Sequence, residues 1–265
     1  MTDNVLLDTD ASGVATLTLN RADKHNAFDD TIIAELTQKL KQLNGDKAVR
    51  VVVLTGAGKS FSAGADLNWM RSMAGYGEKE NLEDARALAE LMAVLDRLDK
   101  PTIARVNGAV FGGGVGLVAC CDIAVGTPRA KMALTEVKLG LAPAVIAPYV
   151  VRVIGARQAR RWFQTAEIME ADAAQAIGLL HEVVAEDQLD ARVATFVDSL
   201  LAAGPQALAA SKQLVAMTSE ANKSALDTLK RQTVELIARL RVSEEGQEGL
   251  AAFLEKRKPD WMGSE

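Results

Sequence analysis

Two features of this sequence could do chemistry together. The first is Gly112-Gly113-Gly114, set between the strand-like apolar run 103–106 and the helix-like apolar run 115–120. Glycine lets a backbone turn tightly and lets a ligand approach its N–H groups closely. A helix starting there adds free N–H groups and the positive end of its dipole. The second feature is Glu136, a lone carboxylate between two apolar runs. An anion-stabilising turn with one carboxylate suits a reaction that builds negative charge on an oxygen and moves a proton. Phe61-Ser62-Ala63-Gly64-Ala65-Asp66-Leu67 is another small-residue turn, following the buried-strand pattern 49–54. Two such turns, each placed after a core strand, could give one N–H apiece to the same oxygen, which is how backbone forms an oxyanion hole.

Rival readings of the glycines are weaker. Gly114-x-Gly116-x-x-Ala119, with Glu136 beyond it, formally matches a dinucleotide fingerprint. The context fails, because several residues separate the strand from the glycines and the following helix is too short for a crossover. No Gly-x-x-x-x-Gly-Lys-Ser/Thr occurs. The plainest alternative is that the glycines only permit close helix–sheet packing. For Glu136 the corresponding alternative is a buried structural carboxylate.

The elements that must position these groups follow from composition and pattern. A chain of 265 residues, 49% hydrophobic and only 4% aromatic, builds one main core of Ala, Val, Leu and Ile. A net charge of −5 argues against nucleic acid as partner. Adjacent Cys120 and Cys121 fit small apolar packing in a reduced, cytoplasmic protein. His25 and His181 lie apart without partner motifs, so no metal site is expected. The acidic start MTDNVLLDTD is not a signal peptide, and no run reaches a membrane-spanning length.

Strands are expected at 5–7, 14–19, 49–54, 102–106, 123–125, 131–134 and 182–184. Helices are expected from Asp29 or Asp30 to about 43, at 82–98 and 151–163, and at 170–177 with Gly178 as stop. Residues 76–81 read as mobile, and Pro143 and Pro148 bracket a bend. Helices alone follow at 190–202, 205–217, 220–240 and 243–256. The order predicts an α/β core over residues 1–190 and a C-terminal helical region over 191–265.

At this point several motifs coincide. The 61–67 turn, Asn107-Gly-Ala-Val-Phe-Gly-Gly-Gly114, Cys121-Asp-Ile-Ala124 and Leu134-Thr-Glu-Val-Lys-Leu-Gly140 stand in the order and spacing of the crotonase (enoyl-CoA hydratase/isomerase) superfamily. Thr165-Ala-Glu, Ala173-Ala-Gln-Ala-Ile-Gly-Leu179 and Phe253-Leu-Glu-Lys-Arg-Lys-Pro259 also resemble it, so the resemblance covers essentially the whole chain. It implies an α/β fold with a crotonase-like ββα spiral core and a C-terminal helical trimerisation region. It further implies homotrimers or hexamers, and an acyl-CoA substrate with no further cofactor. The N–H groups of Ala65 and Gly113 match the family's oxyanion hole. Ala63, Asp66 and Leu67 belong to the turn that meets CoA, and Lys24 matches a basic position lining that site. Phe253 and Lys256 match positions that in relatives reach CoA from a neighbouring subunit. For Lys24 and Lys256 a solvated surface charge is the alternative.

One departure matters. Well-known hydratases of the family carry two catalytic glutamates. The later one matches Glu136, while the earlier falls on Gly116. A single carboxylate resembles the isomerases that shift a double bond. Other stretches, among them Ala63-Gly-Ala-Asp-Leu-Asn-Trp-Met70, Leu139-Gly-Leu-Ala-Pro-Ala-Val-Ile146 and residues 241–257, resemble a bacterial subgroup. That subgroup hydrates branched glutaconyl-CoA esters: methylglutaconyl-CoA in leucine breakdown, isohexenylglutaconyl-CoA in acyclic terpene breakdown. Such substrates carry a distal carboxylate, costly to bury unpaired. Arg71, Arg105 and Arg152 are conceivable partners for it. An RNA-binding or scaffold role is disfavoured by the net acidity, and hydrolysis of a thioester or a C–C bond could use the same hole and base.

Overall fold

A computed structural model describes residues 3–219, 223–257 and 259. Its first two strands, β1 (Val5–Thr9) and β2 (Val14–Leu19), form an antiparallel pair. Beside β2, running parallel, lies β3 (Val51–Gly56), in which every residue is buried. Its alternate side chains serve two faces. Val51 and Val53 meet Ile103, Val125, Leu189 and Val193, whereas Val52 and Leu54 enter the main core.

The chain then alternates between two sheets. After β3 it lays down β4 (Ser60–Ser62), the helix α2 (Leu67–Ala74) and the helix α3 (Glu78–Asp96). The helix α1 (Asp30–Gly45), capped by Asp29, precedes β3. β5 (Thr102–Val106) returns to the large sheet, β6 (Ala109–Phe111) joins β4, and α4 (Gly113–Cys120) follows. β7 (Ile123–Gly126) and β8 (Met132–Ala133) repeat the alternation, followed by α5 (Ala147–Thr165) and α6 (Ala171–Ala176). β9 (Glu182–Val183) closes the large sheet, whose order is β1-β2-β3-β5-β7-β9; the small sheet is β4-β6-β8, all parallel. This repetition is the ββα spiral that the family resemblance implies.

After β9 the described elements are helices: α7 (Leu189–Leu201), α8 (Pro205–Ser219), α9 (Lys223–Val242) and α10 (Glu244–Glu255). α7 covers the outer face of the large sheet through Leu189 and Val193. Val234 and Ile237 of α9 and Leu250 of α10 join the same main core as the sheet. Residues 220–222, expected to begin a helix, lie outside the described residues.

Three expectations are corrected. The turn expected over 61–67 ends at Asp66, and residues 67–74, for which no element was expected, form a helix, because Asp66 caps them, accepting from the N–H groups of Asn68 (2.8 Å) and Trp69 (3.3 Å). α3 starts at Glu78, so part of the stretch read as mobile is helical. The two small-residue turns do not leave the core strands β3 and β5. They leave β4 and β6, three-residue strands too short to show a periodic pattern. No single described helix is long and apolar enough to cross a membrane.

Candidate active site

The three strands of the small sheet are adjacent and parallel, so their carboxyl ends lie side by side. β4 leads into Ala63–Asp66, β6 into Gly112-Gly113, and β8 into Leu134-Thr135-Glu136. Ligands of parallel α/β sheets characteristically bind outside such strand ends. The three elements also touch. Gly64, at φ +80°, packs against the Phe111 carbonyl. The Gly112 N–H donates to Ala133 O (3.0 Å), and a Cβ on Gly112 would lie 3.4 Å from Glu136 Oε1. Gly112 itself holds φ +50°, a left-handed value that favours glycine.

Phe28 organises both candidate oxyanion donors. Its N–H donates to Gly64 O (2.8 Å), and its carbonyl accepts from the Asp66 N–H (3.0 Å), forming a parallel bridge with Ala65. In a parallel bridge the paired residue's own N–H points away from its partner, so the Ala65 N–H faces away from Phe28. It has no partner among the described residues. Gly113 is the first residue of α4, so its N–H has no intrahelical acceptor. The Phe28 ring lies on Gly113: a Cβ there would meet Phe28 Cζ at 2.5 Å and Cε2 at 3.1 Å. Phe28 was illegible as a site residue, because a lone aromatic in a polar loop carries no spacing signal.

Glu136 opens a 3₁₀ turn, Glu136–Leu139. The residue as a whole is half-buried, yet its Oε2 is shielded from solvent and has no hydrogen-bond partner among the described residues. Burial pushes its carboxyl up to about 7, opposed only by a hydrogen bond from its own backbone. No charged neighbour enters that balance. A carboxyl with that affinity for protons can take a proton and give it back near neutral pH.

Gly116 sits in α4, and the site offers no room for a side chain there. A Cβ would collide with Ile146 Cγ2 and lie 2.9 Å from Ile146 Cβ and 3.1 Å from Met92 Sδ. Ile146 therefore occupies the region where a carboxylate at position 116 would stand.

These groups line one cavity of about 1380 Å³. Every site residue expected from the sequence borders it: Glu136, Ala65 and Gly113, and also Lys24, Ala63, Asp66, Leu67, Phe253 and Lys256. The Asp66 carboxylate is already engaged. Besides capping α2 it pairs with Arg21 (3.1 Å) and Lys24 (3.3 Å). Burial alone would raise its affinity for protons, but the Asn68 and Trp69 N–H groups and Lys24 outweigh it and hold it below the usual range. Its part is to fix the turn and Lys24. α10 packs back on α2 and on the 136–139 turn, so Phe253 and Lys256 border the cavity of their own chain.

Of the three arginines considered for a distal carboxylate, only Arg71 lines the cavity. Arg105 pairs with Asp190 (2.6 Å), and Arg152 pairs with Asp96. Arg241, which sequence spacing did not single out, lines the cavity instead. Cys120 and Cys121 are buried apolar packing. Burial pushes the Cys121 thiol up to about 12 and Cys120 well above its usual value. Among the described residues no group of three His, Cys, Asp or Glu side chains could hold a metal ion.

The sequence pattern of the family described as Enoyl-CoA hydratase/isomerase matches residues 9–264. The crystal structure of an enoyl-CoA hydratase from Shewanella pealeana is similar at TM-score 0.80 and 47% identity, covering 98% of this chain and 96% of that one. The 2,3-dehydroadipyl-CoA hydratase of Escherichia coli is 33% identical, over 94% of this chain and 95% of that protein. The crotonyl-CoA hydratase of Syntrophomonas wolfei is 30% identical, over 98% of each. The chain belongs to the enoyl-CoA hydratase/isomerase family, and it is an enzyme of the enoyl-CoA hydratase kind.

Proposed function

We propose that this chain adds water to a branched glutaconyl-CoA thioester, either methylglutaconyl-CoA or isohexenylglutaconyl-CoA, with Glu136 as its one acid/base group. The observation that carries this reading is the pairing of a shielded, partnerless Glu136 Oε2 with an isoleucine in the second carboxylate's place. The thioester oxygen accepts from the Ala65 and Gly113 N–H groups. Ionised Glu136 takes a proton from water as the water oxygen bonds to the β-carbon. The C=C electrons pass to the thioester oxygen as an enolate, stabilised by the two N–H groups and the start of α4. Glu136 then returns its proton to the α-carbon, completing the 3-hydroxyacyl thioester. No group beyond the coenzyme A of the substrate is required.

Lys24, Ala63, Asp66, Leu67, Phe253 and Lys256 border the part of the cavity assigned to CoA. The similarity to a 2,3-dehydroadipyl-CoA hydratase supports an acyl group with a far carboxylate. The resemblance to the glutaconyl-CoA subgroup supports the branched chain and a role in leucine or acyclic terpene breakdown. Family resemblance likewise supports a homotrimer, or a hexamer of two trimers, and buried reduced cysteines fit the cytoplasm.

The alternative, double-bond migration by the single carboxylate, is favoured by the glycine at 116. A panel of methylglutaconyl-, isohexenylglutaconyl- and crotonyl-CoA separates them. Formation of 3-hydroxyacyl-CoA, fastest with a glutaconyl ester, is expected. Double-bond migration without water uptake, or no preference for glutaconyl esters, would overturn the assignment.

A further inference from the structure

Arg241 is an arginine in an otherwise apolar part of the cavity wall. Four helices converge there: α2 brings Trp69, Met70 and Met73, α3 brings Leu88, α9 brings Ile237, and α10 brings Leu250. The Arg241 side chain is only 9% exposed. Its Nη1 donates to Asp84 Oδ2 at 2.8 Å, from the neighbouring helix α3. Gln247 Nε2 donates to the Arg241 carbonyl (2.6 Å), fixing the end of α9. Neither Nε nor Nη2 has an acceptor among the described residues. A guanidinium carries five donors in a planar fork and can bridge two carboxylates. These two donors are not among the fully shielded atoms, so they stay reachable from the cavity that Arg241 lines, where a carboxylate can pair with them.

The location also speaks for the far end of the acyl group. Arg241 stands near the end of α9 and Glu136 at the start of the turn after β8, so different elements bring them to one cavity. The guanidinium and Glu136 thus border the same cavity from different elements, leaving the guanidinium to meet a part of the acyl group other than the carbons beside Glu136.

We infer that Arg241, held in place by Asp84, recognises a carboxylate at the distal end of the acyl chain, making this a hydratase selective for dicarboxylic half-thioesters. The inference rests on the proposed glutaconyl-type substrate and names the residue that reads it. Asp84 is a positioning residue, not a ligand.

The test is steady-state hydration of methylglutaconyl-CoA, 2,3-dehydroadipyl-CoA and crotonyl-CoA by wild type, Arg241→Met, Arg241→Lys and the double variant Asp84→Asn/Arg241→Met. The double variant removes the buried charge that Arg241→Met would strand, and melting checks that it folds. The expected result is a fall of roughly 100-fold in the kcat/KM ratio of carboxylate-bearing to neutral thioester, mainly through KM, with partial recovery in Arg241→Lys. An equal loss with all three substrates, or an unchanged ratio, overturns the inference. Wild-type preference for 2,3-dehydroadipyl-CoA that disappears in Arg241→Met would sink the branched glutaconyl reading while upholding Arg241. Preference for methylglutaconyl-CoA that survives the substitution would do the reverse, and preference for crotonyl-CoA would refute both.

Discussion

Ile146 fills the space that a side chain at position 116 would need, its Cβ standing 2.9 Å from where a Cβ on Gly116 would lie. The loss of one carboxylate and the presence of one isoleucine are thus a single packing arrangement. Restoring a glutamate at 116 is not a simple addition.

Gly116→Glu alone should fail to raise hydration and should lower stability. Overpacking a filled core typically costs about 1–3 kcal/mol, and a buried unpaired carboxylate adds to that. Combining it with Ile146→Gly, which vacates the space, should recover much of the melting temperature. Melting curves and hydration rates for the single and double variants check this. A single variant that melts like wild type would show that Ile146 moves aside freely.

Gly113→Ala should disturb both candidate oxyanion donors at once, since the new methyl meets the Phe28 ring and Phe28 bridges to Ala65. Loss of one such donor typically costs ~10²–10³ in rate. Adding Phe28→Leu should relieve part of the defect, because the smaller side chain yields the space. Turnover and melting of the two variants decide. Wild-type rates in Gly113→Ala would remove Phe28 from this role.

The elevated Glu136 carboxyl fixes two pH dependences. As a base it must be ionised, so kcat/KM should fall as pH drops through about 7. Stability runs the other way. The unfolded carboxyl titrates near 4.5, so between 4.5 and about 7 the folded chain binds the extra proton. The stability supplied by the neutral carboxyl is full below 4.5 and is lost as pH rises through 7, on the order of 3 kcal/mol. Glu136→Gln stays neutral and should out-melt wild type at pH above 7, with the gap closing in acid. A gap independent of pH would contradict the elevated pKa.

The glycine turn, Glu136 and the cavity-lining residues are legible in sequence because several motifs stand at fixed spacings along one chain. β4 and β6 are not, since three residues cannot display a period. The α2 helix hides behind a small-residue turn, although Asp66 is its cap. Arg241 is the instructive case. On a helix it reads as one more solvated charge, and only the packing of α9 against α3 buries it beside Asp84. Phe28 and Ile146 are similar, ordinary apolar residues whose meaning lies entirely in the glycines they cover.

The most direct test of a single carboxylate working both ends of the hydration is the rate of 3-hydroxyacyl-CoA formation by Glu136→Gln, measured on folded protein with methylglutaconyl-CoA. Removing the only acid/base group predicts a fall of at least ~10²-fold, up to ~10⁴-fold, with melting unimpaired. Hydration at the wild-type rate would contradict the account.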